Sequence, residues 1–251
     1  MAKLRLWNTK KINKLCFLTG RSPAIIYQMS LLWKFKSAEY HHKMATKLWE
    51  DLYQELKRSK IKLELHSKRW LSVELTSECE YIACIHVTRT MVDTLLQIIN
   101  EMILRGNLHE SEVTMRKVRK ELKKINNAQK IFDKLNKLAN STAYRYIRSF
   151  DDLIKHRRLI HKTYTIRWNK NDGLKKGIRF EKFQIEYRGN RETFPAKWAS
   201  DVTDGYRNEI VELIHGVISE MIRFLKYEKK SLAPQSLPLG SMNFLYDAGP
   251  W

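Results

Sequence analysis

The scarcity of helix-breaking residues constrains this chain more than any other feature. No proline lies between Pro23 and Pro195, and Gly106 is the only glycine between Gly20 and Gly173. Proline removes a backbone donor and clashes with the preceding turn, while glycine costs about 1 kcal/mol relative to alanine inside a helix. A stretch so nearly free of both predicts long helices. Ser22-Pro23 marks the first start, with proline at the first helical position. Ile25, Met29, Leu32, Trp33 and Lys36 follow at helical spacing, and the helix extends through Leu48, Leu52 and Leu56, with His41-His42 as a candidate break. Ser77-x-x-Glu80 has the form of a capping box and predicts the start of a strongly apolar helix ending at Arg105-Gly106. Asn107-x-x-Glu110 then opens an amphipathic helix with a basic outer face, carrying Val118, Leu122, Ile125, Phe132, Leu135 and Ala139. Ser141-Thr142 starts a further helix bearing Ile147, Phe150 and Ile154.

The period changes after Lys162. Tyr164 and Ile166, then Ile178 and Phe180, then Phe183, Ile185 and Tyr187 alternate, punctuated by Asn171-Asp172-Gly173, Gly177 and Gly189. This predicts a short antiparallel hairpin or three-strand excursion. Asp201 to Asp204 caps a last helix with Tyr206, Ile210, Leu213, Val217, Met221 and Leu225 on one face. The expected fold is mainly α: an antiparallel helical bundle with a small β-hairpin excursion before the last helix. Residues 1–21 read as a flexible basic arm, 22–230 as one helical domain with the β excursion at about 163–190, and 231–251 as a proline-containing extended tail.

The net charge is +20, and it is concentrated. Residues 1–38 hold eight basic residues and no acid, 116–137 carry net +7, and 143–170 carry net +6, so the remainder is almost neutral. Localised positive charge attracts phosphate better than the same charge dispersed, and solvated lysine faces are the alternative reading. A secretory signal is not expected, because lysines interrupt each candidate apolar core. No run approaches 18 apolar residues, so no transmembrane segment is expected. The three widely spaced cysteines give no disulfide framework and point to a reducing, cytoplasmic setting.

Two constellations carry chemistry. His86, Arg89, Asp93, Gln97 and Asn100 form one polar stripe on an otherwise apolar helix. The stripe lines a cleft or polar interface, or it is the solvent edge of the helix. In the second, Arg148, Asp152 and His156 stand at i, i+4 and i+8, with Lys155, Arg157 and Arg158 beside them. An aspartate one turn before a histidine can hold its tautomer, and guanidinium groups can stabilise a charged phosphorane. His156 is then the acid/base, Arg157 and Arg148 the phosphate binders and Asp152 the orienter. Lys155, Arg158, Arg89, Asp93 and His86 are expected to contact substrate. A basic helix end with ordinary ion pairs is the alternative. Cys79 and Cys84 diverge on a helix and read as buried thiols, so no metal site is expected. No glycine-rich phosphate loop, Gly-x-Ser-x-Gly elbow or His-Glu-x-x-His occurs, and no cofactor is implied.

Residues 78–100 (ECEYIACIHVTRTMVDTLLQIIN), 144–164 (YRYIRSFDDLIKHRRLIHKTY) and the last amphipathic helix over 204–226 resemble bacterial HEPN proteins, the higher eukaryotes and prokaryotes nucleotide-binding family. The resemblance implies a small antiparallel bundle that commonly dimerises. It also implies RNA or nucleotide as partner, often with metal-independent ribonuclease activity in toxin–antitoxin or defence systems and an antitoxin-like protein partner. Other members are inactive binding modules. Arg148 and His156 are too far apart, and Arg157 and His161 too close, for the family's nuclease signature. Asp152, Lys155, His156 and Arg157 match an Asn/Asp-x-x-Lys-His-Arg variant instead. The alternative to a nuclease is a non-enzymatic dimeric interaction module in which these groups form a structural polar network.

Overall fold

A computed structural model describes residues 9–18, 20–59, 68–156, 160, 162–169, 173–187 and 189–231. Two long helices dominate it, α2 (Ala24–Ser59) and α3 (Lys68–Met102). They pack antiparallel along their length. Lys34 reaches Thr94, Cys84 donates to the Ala38 carbonyl, Ser77 to the Ala45 carbonyl, and Trp49 meets Trp70 edge-on at 5.5 Å. α2 is unbroken at His41-His42, because each ring finds its own partner: His41 takes Glu80 at 2.6 Å and His42 takes Thr203 at 2.9 Å.

α3 is the central element. It contacts α2, α4 (Met115–Leu122), α6 (Thr142–His156) and α8 (Arg207–Ser231), which explains why its composition is apolar on most sides. Ile85, Met91, Val92, Leu95, Leu96 and Ile99 are almost fully buried. Among the described residues α3 is the one helix long and apolar enough, by length and composition, to cross a membrane, and 56% of its most apolar window is buried in the fold. Its start differs from the expected one. Ser77 lies in mid-helix with its hydroxyl turned to α2, and Glu80 is committed to His41, so the capping-box sequence caps nothing. Its end is as expected: Arg105 and Gly106 both have positive φ (59° and 69°), and the Gly106 N–H returns to the Asn100 carbonyl.

The single helix expected after Asn107 is three pieces. A 3-10 turn spans Glu110–Glu112, α4 follows with Thr114 as its N-cap, and α5 covers Gln129–Asn140. The break falls at Asn127, whose φ of 70° no helix interior accepts. α6 is capped by Ser141, whose Oγ accepts from the Tyr144 N–H.

Among the described residues five short strands follow α6. β1 (Lys162–Asn169) and β2 (Gly173–Phe180) pair antiparallel from Lys162↔Phe180 to Asn169↔Gly173, and β5 (Lys197–Trp198) adds to β2. β3 (Phe183–Tyr187) and β4 (Asn190–Phe194) form a separate hairpin, with Gly189 at φ 79° in its turn. The last helix begins earlier than expected. α7 (Ala199–Asp201), a π turn at Val202–Tyr206 and α8 run on continuously, so Asp201 and Asp204 lie within the helical run and neither caps it.

The basic segment at the start is also not wholly an arm. α1 (Thr9–Leu18) docks Ile12, Leu15 and Cys16 into the core, beside α2 and α8. Residues 1–8 and the tail from 232 lie outside the described residues.

Candidate functional site

α3 and α6 run antiparallel and bring the two sequence constellations together along one seam. At one end the His86 Nδ1 lies 3.0 Å from Asp151 Oδ1, and Lys155 Nζ lies 2.8 Å from Asp151 Oδ2. Asp151 is buried, with a side chain only 6% exposed, whereas His86 and Lys155 are roughly half exposed. A carboxylate accepts, so Nδ1 must carry the proton and Nε2 is the ring's acceptor in the neutral imidazole.

One turn along α3, the Arg89 guanidinium lies 2.5 Å from Asp93 and 5.7 Å from the centre of the Tyr144 ring. Burial alone would lower its pKa. Tyr144, Asp93 and Asp152 outweigh that and hold it more firmly protonated than usual. Burial pushes the Tyr144 hydroxyl up, against the pull of Arg89 and Arg148. Arg148 itself pairs with Asp152 at 3.6 Å on the solvent side of α6.

The seam therefore unites His86, Arg89, Asp93, Arg148, Asp152 and Lys155. It does not include His156 in the expected role. His156 ends α6 exposed, with no hydrogen bond or ion pair to a described residue, and Asp152 is turned to Arg148 instead. Arg157 and Arg158 lie outside the described residues. The residues missed from sequence are Asp151 and Tyr144. Asp151 carried a signal: it stands four residues after buried Ile147, inside the apolar stripe of α6, where a carboxylate must find a partner.

The polar stripe of α3 also divides. Its first members face α6, while Gln97 and Asn100 serve the loop after the helix. Gln97 donates to the Glu110 carbonyl, and Asn100, 1% exposed, both accepts from the Leu108 N–H and donates to its carbonyl.

A second polar centre sits where the π turn meets α2 and α3. Thr203, 1% exposed, donates its hydroxyl to the Ala199 carbonyl and so accepts from His42. Burial and the charge of Arg207 lower the His42 pKa, so the ring is neutral in the fold. Burial lifts the Cys84 thiol to about 12. Cys84 matches the expected inert thiol, but Cys79 is exposed. Arg207 is 5% exposed and bonds Asn208 at 3.1 Å and Asp204 at 3.4 Å. His42, Thr203, Cys84 and Arg207 are buried, and the Asp204 carboxylate that reaches solvent is held by Arg207, which suits structure better than turnover.

Among the described residues no group of three or more His, Cys, Asp or Glu side chains is placed to hold a metal ion. A surface groove of about 640 Å³ lies between α5 and α8, lined by Lys134, Lys137, Glu209 and Glu212, and carries charge of both signs. The α3–α6 seam is the arrangement with chemical capacity. It combines an imidazole oriented by a buried carboxylate, a half-exposed lysine and two guanidinium groups within three helical turns. No protein-family model, curated protein or solved structure matches the chain.

Proposed function

We propose that this protein interacts with RNA, takes phosphates along the α3–α6 seam, and cleaves the phosphodiester with His86 as the proton-transfer group. The observation that carries this reading is the half-exposed His86 ring, its Nδ1 held by buried Asp151. Nε2 would accept the 2′-hydroxyl proton as that oxygen attacks phosphorus to form a 2′,3′-cyclic phosphate, and the 5′-oxygen would depart as a hydroxyl with a proton from water. Arg89, Arg148 and Lys155 would stabilise the charge that develops. The role first expected of His156 passes to His86, because His86 has an orienting carboxylate. The resemblance to HEPN proteins supports the substrate class and carries with it a homodimer and an antitoxin-like partner, while the three cysteines, which form no disulfide, support a cytoplasmic setting.

The test is cleavage of single-stranded RNA in EDTA. His86→Ala should lower the rate by about 10²-fold or more, the usual contribution of a positioned acid or base, and His156→Ala should leave it unchanged. Loss in His156→Ala alone would move the chemistry to the end of α6.

A second reading rests on a separate observation: each cation of the seam already faces a carboxylate, Lys155 on Asp151, Arg89 on Asp93 and Arg148 on Asp152. In a non-enzymatic dimeric module these pairs are a structural network. Absence of cleavage by the wild-type chain favours that reading, since Asp151→Asn should lower the melting temperature under either.

A further inference from the structure

α2 has two faces, and folding uses only one. Leu31, Phe35, Ala38, His42, Ala45, Trp49 and Leu52 are buried, most of them against α3. On the opposite side Ile26, Met29, Trp33 and Tyr40 follow at steps of three, four and seven, and are 74%, 44%, 65% and 57% exposed. Four bulky apolar side chains in register, roughly 180° from the core face, are left largely open by the described residues. Phe17 and Leu18, 67% and 45% exposed, lie just before the turn that enters α2.

The stripe is flanked by positive charge. Lys36, Lys43 and Lys47 are exposed along the same side of α2, and the Lys36 ammonium sits 5.4 Å over the Trp33 ring. Glu39 is the only acid among residues 1–49 and is paired with Lys43 at 2.6 Å; the next acids, exposed Glu50 and Asp51, fall in the last third of α2, beyond the apolar stripe. Not every early cation belongs to this surface: Arg21 turns inward to Glu228, and Lys34 to Thr94.

We infer that this outer face of α2 docks on an anionic lipid bilayer, lying in the headgroup plane with Ile26, Met29 and Trp33 inserted. Three arguments select that occupant. A second copy across a two-fold axis would set the Lys36 and Lys43 side against itself, while exposed Glu50 and Asp51 lie towards the far end of α2, about five turns from Trp33. RNA stacks on planar rings, and Ile26 and Met29 offer none. A bilayer accepts aliphatic groups below the headgroups, tryptophan and tyrosine at their level, and lysines that reach anionic phosphates. The site is distinct from the α3–α6 seam and does not depend on its chemistry.

The experiment is flotation of the full chain with phosphatidylcholine vesicles, with and without phosphatidylglycerol, at low and high salt. Binding should require the anionic lipid and fall as salt screens the lysines. Ile26→Ser with Trp33→Ser should weaken it by ~10-fold or more, because the inserted apolar area is lost, with an unchanged melting temperature. Lys36→Glu with Lys47→Glu should weaken it as much without touching an apolar side chain. The proposal fails if no vesicle binds, if neutral and anionic vesicles bind equally, or if both variants bind like the parent. It fails too if light scattering finds a dimer that Ile26→Ser with Trp33→Ser dissociates, for a second copy would then cover the face.

Discussion

Asp151 is the residue on which the candidate site turns. Its carboxylate is buried, yet both oxygens are engaged, one by His86 and one by Lys155. Pairing of this kind offsets desolvation only while both partners stay. Asp151→Asn keeps the shape but loses a charge-assisted acceptor. It should cost about 1–3 kcal/mol, read as a lower midpoint in urea with an unchanged slope. His86→Ala should cost far less, because Asp151 keeps Lys155 and the imidazole is half exposed. A nuclease site and a structural network thus predict different rankings: activity follows His86 in the first, and stability follows Asp151 in both. The neighbour Asp152 was legible as a charge at the right spacing from His156. Helical spacing places two residues on one side without saying which of several partners an acid takes, and Arg148 is the one it meets.

At the scale of elements, one aromatic cluster attaches the strands to the bundle. Tyr146 of α6 packs edge-on against Phe183, Phe194 and Tyr206, at 5.2, 5.7 and 5.4 Å, and Phe150 meets Phe180 at 4.6 Å. The Tyr146 ring is fully buried, and its hydroxyl has no hydrogen-bond partner among the described residues. Tyr146→Ala should therefore cost about 3–5 kcal/mol and loosen the β3–β4 hairpin. Tyr146→Phe should be neutral or stabilise by up to about 1 kcal/mol, because it removes an unsatisfied group. Thermal melting of the two variants checks both, and a marked loss in Tyr146→Phe would mean that the hydroxyl has a partner after all. The helices were legible from breaker spacing. Their boundaries were less so, and the errors share a cause. Ser77-x-x-Glu80 is a start signal only where the preceding chain is not helical, and here tertiary packing on α2 extends α3 back to Lys68. The opposite happened at Asn127, where a left-handed residue splits a stretch whose apolar period runs straight through.

For the molecule as a whole, buried His42 and half-buried His215 contribute to the response to acid. Burial lowers the His42 pKa, with Arg207 adding to the effect, and burial lowers that of His215. Unfolded histidine binds its proton near pH 6.5, while these two resist it in the fold, so below that pH the unfolded chain holds more protons. Stability should fall as pH drops through about 6.5 and level off above it. Melting temperatures between about pH 5.5 and 7.5 show this, and His42→Gln should flatten the slope; an unchanged slope would place the proton uptake elsewhere. The charge distribution is a second whole-molecule property. Of the concentrated basic segments, the first surrenders Arg21 and Lys34 to the interior, and part of the second is neutralised locally by Lys117–Glu112 and Lys124–Glu121. The net charge survives, but less of it is free than composition suggests.

Breaker spacing and periodicity sufficed for a mainly helical chain with antiparallel strands before its last helix, because both depend on local sterics and on a face each element must bury. They also brought forward the α3 stripe and the charged run of α6 as the places where polar groups had to be explained. That these two meet, that Asp151 rather than Asp152 holds an imidazole, and that the imidazole is His86 depend on how two helices more than 50 residues apart cross. The choice of partner is decided by which carboxylate the crossing buries. A buried charge must be compensated by whatever lies opposite it, and no period along one chain records what that is.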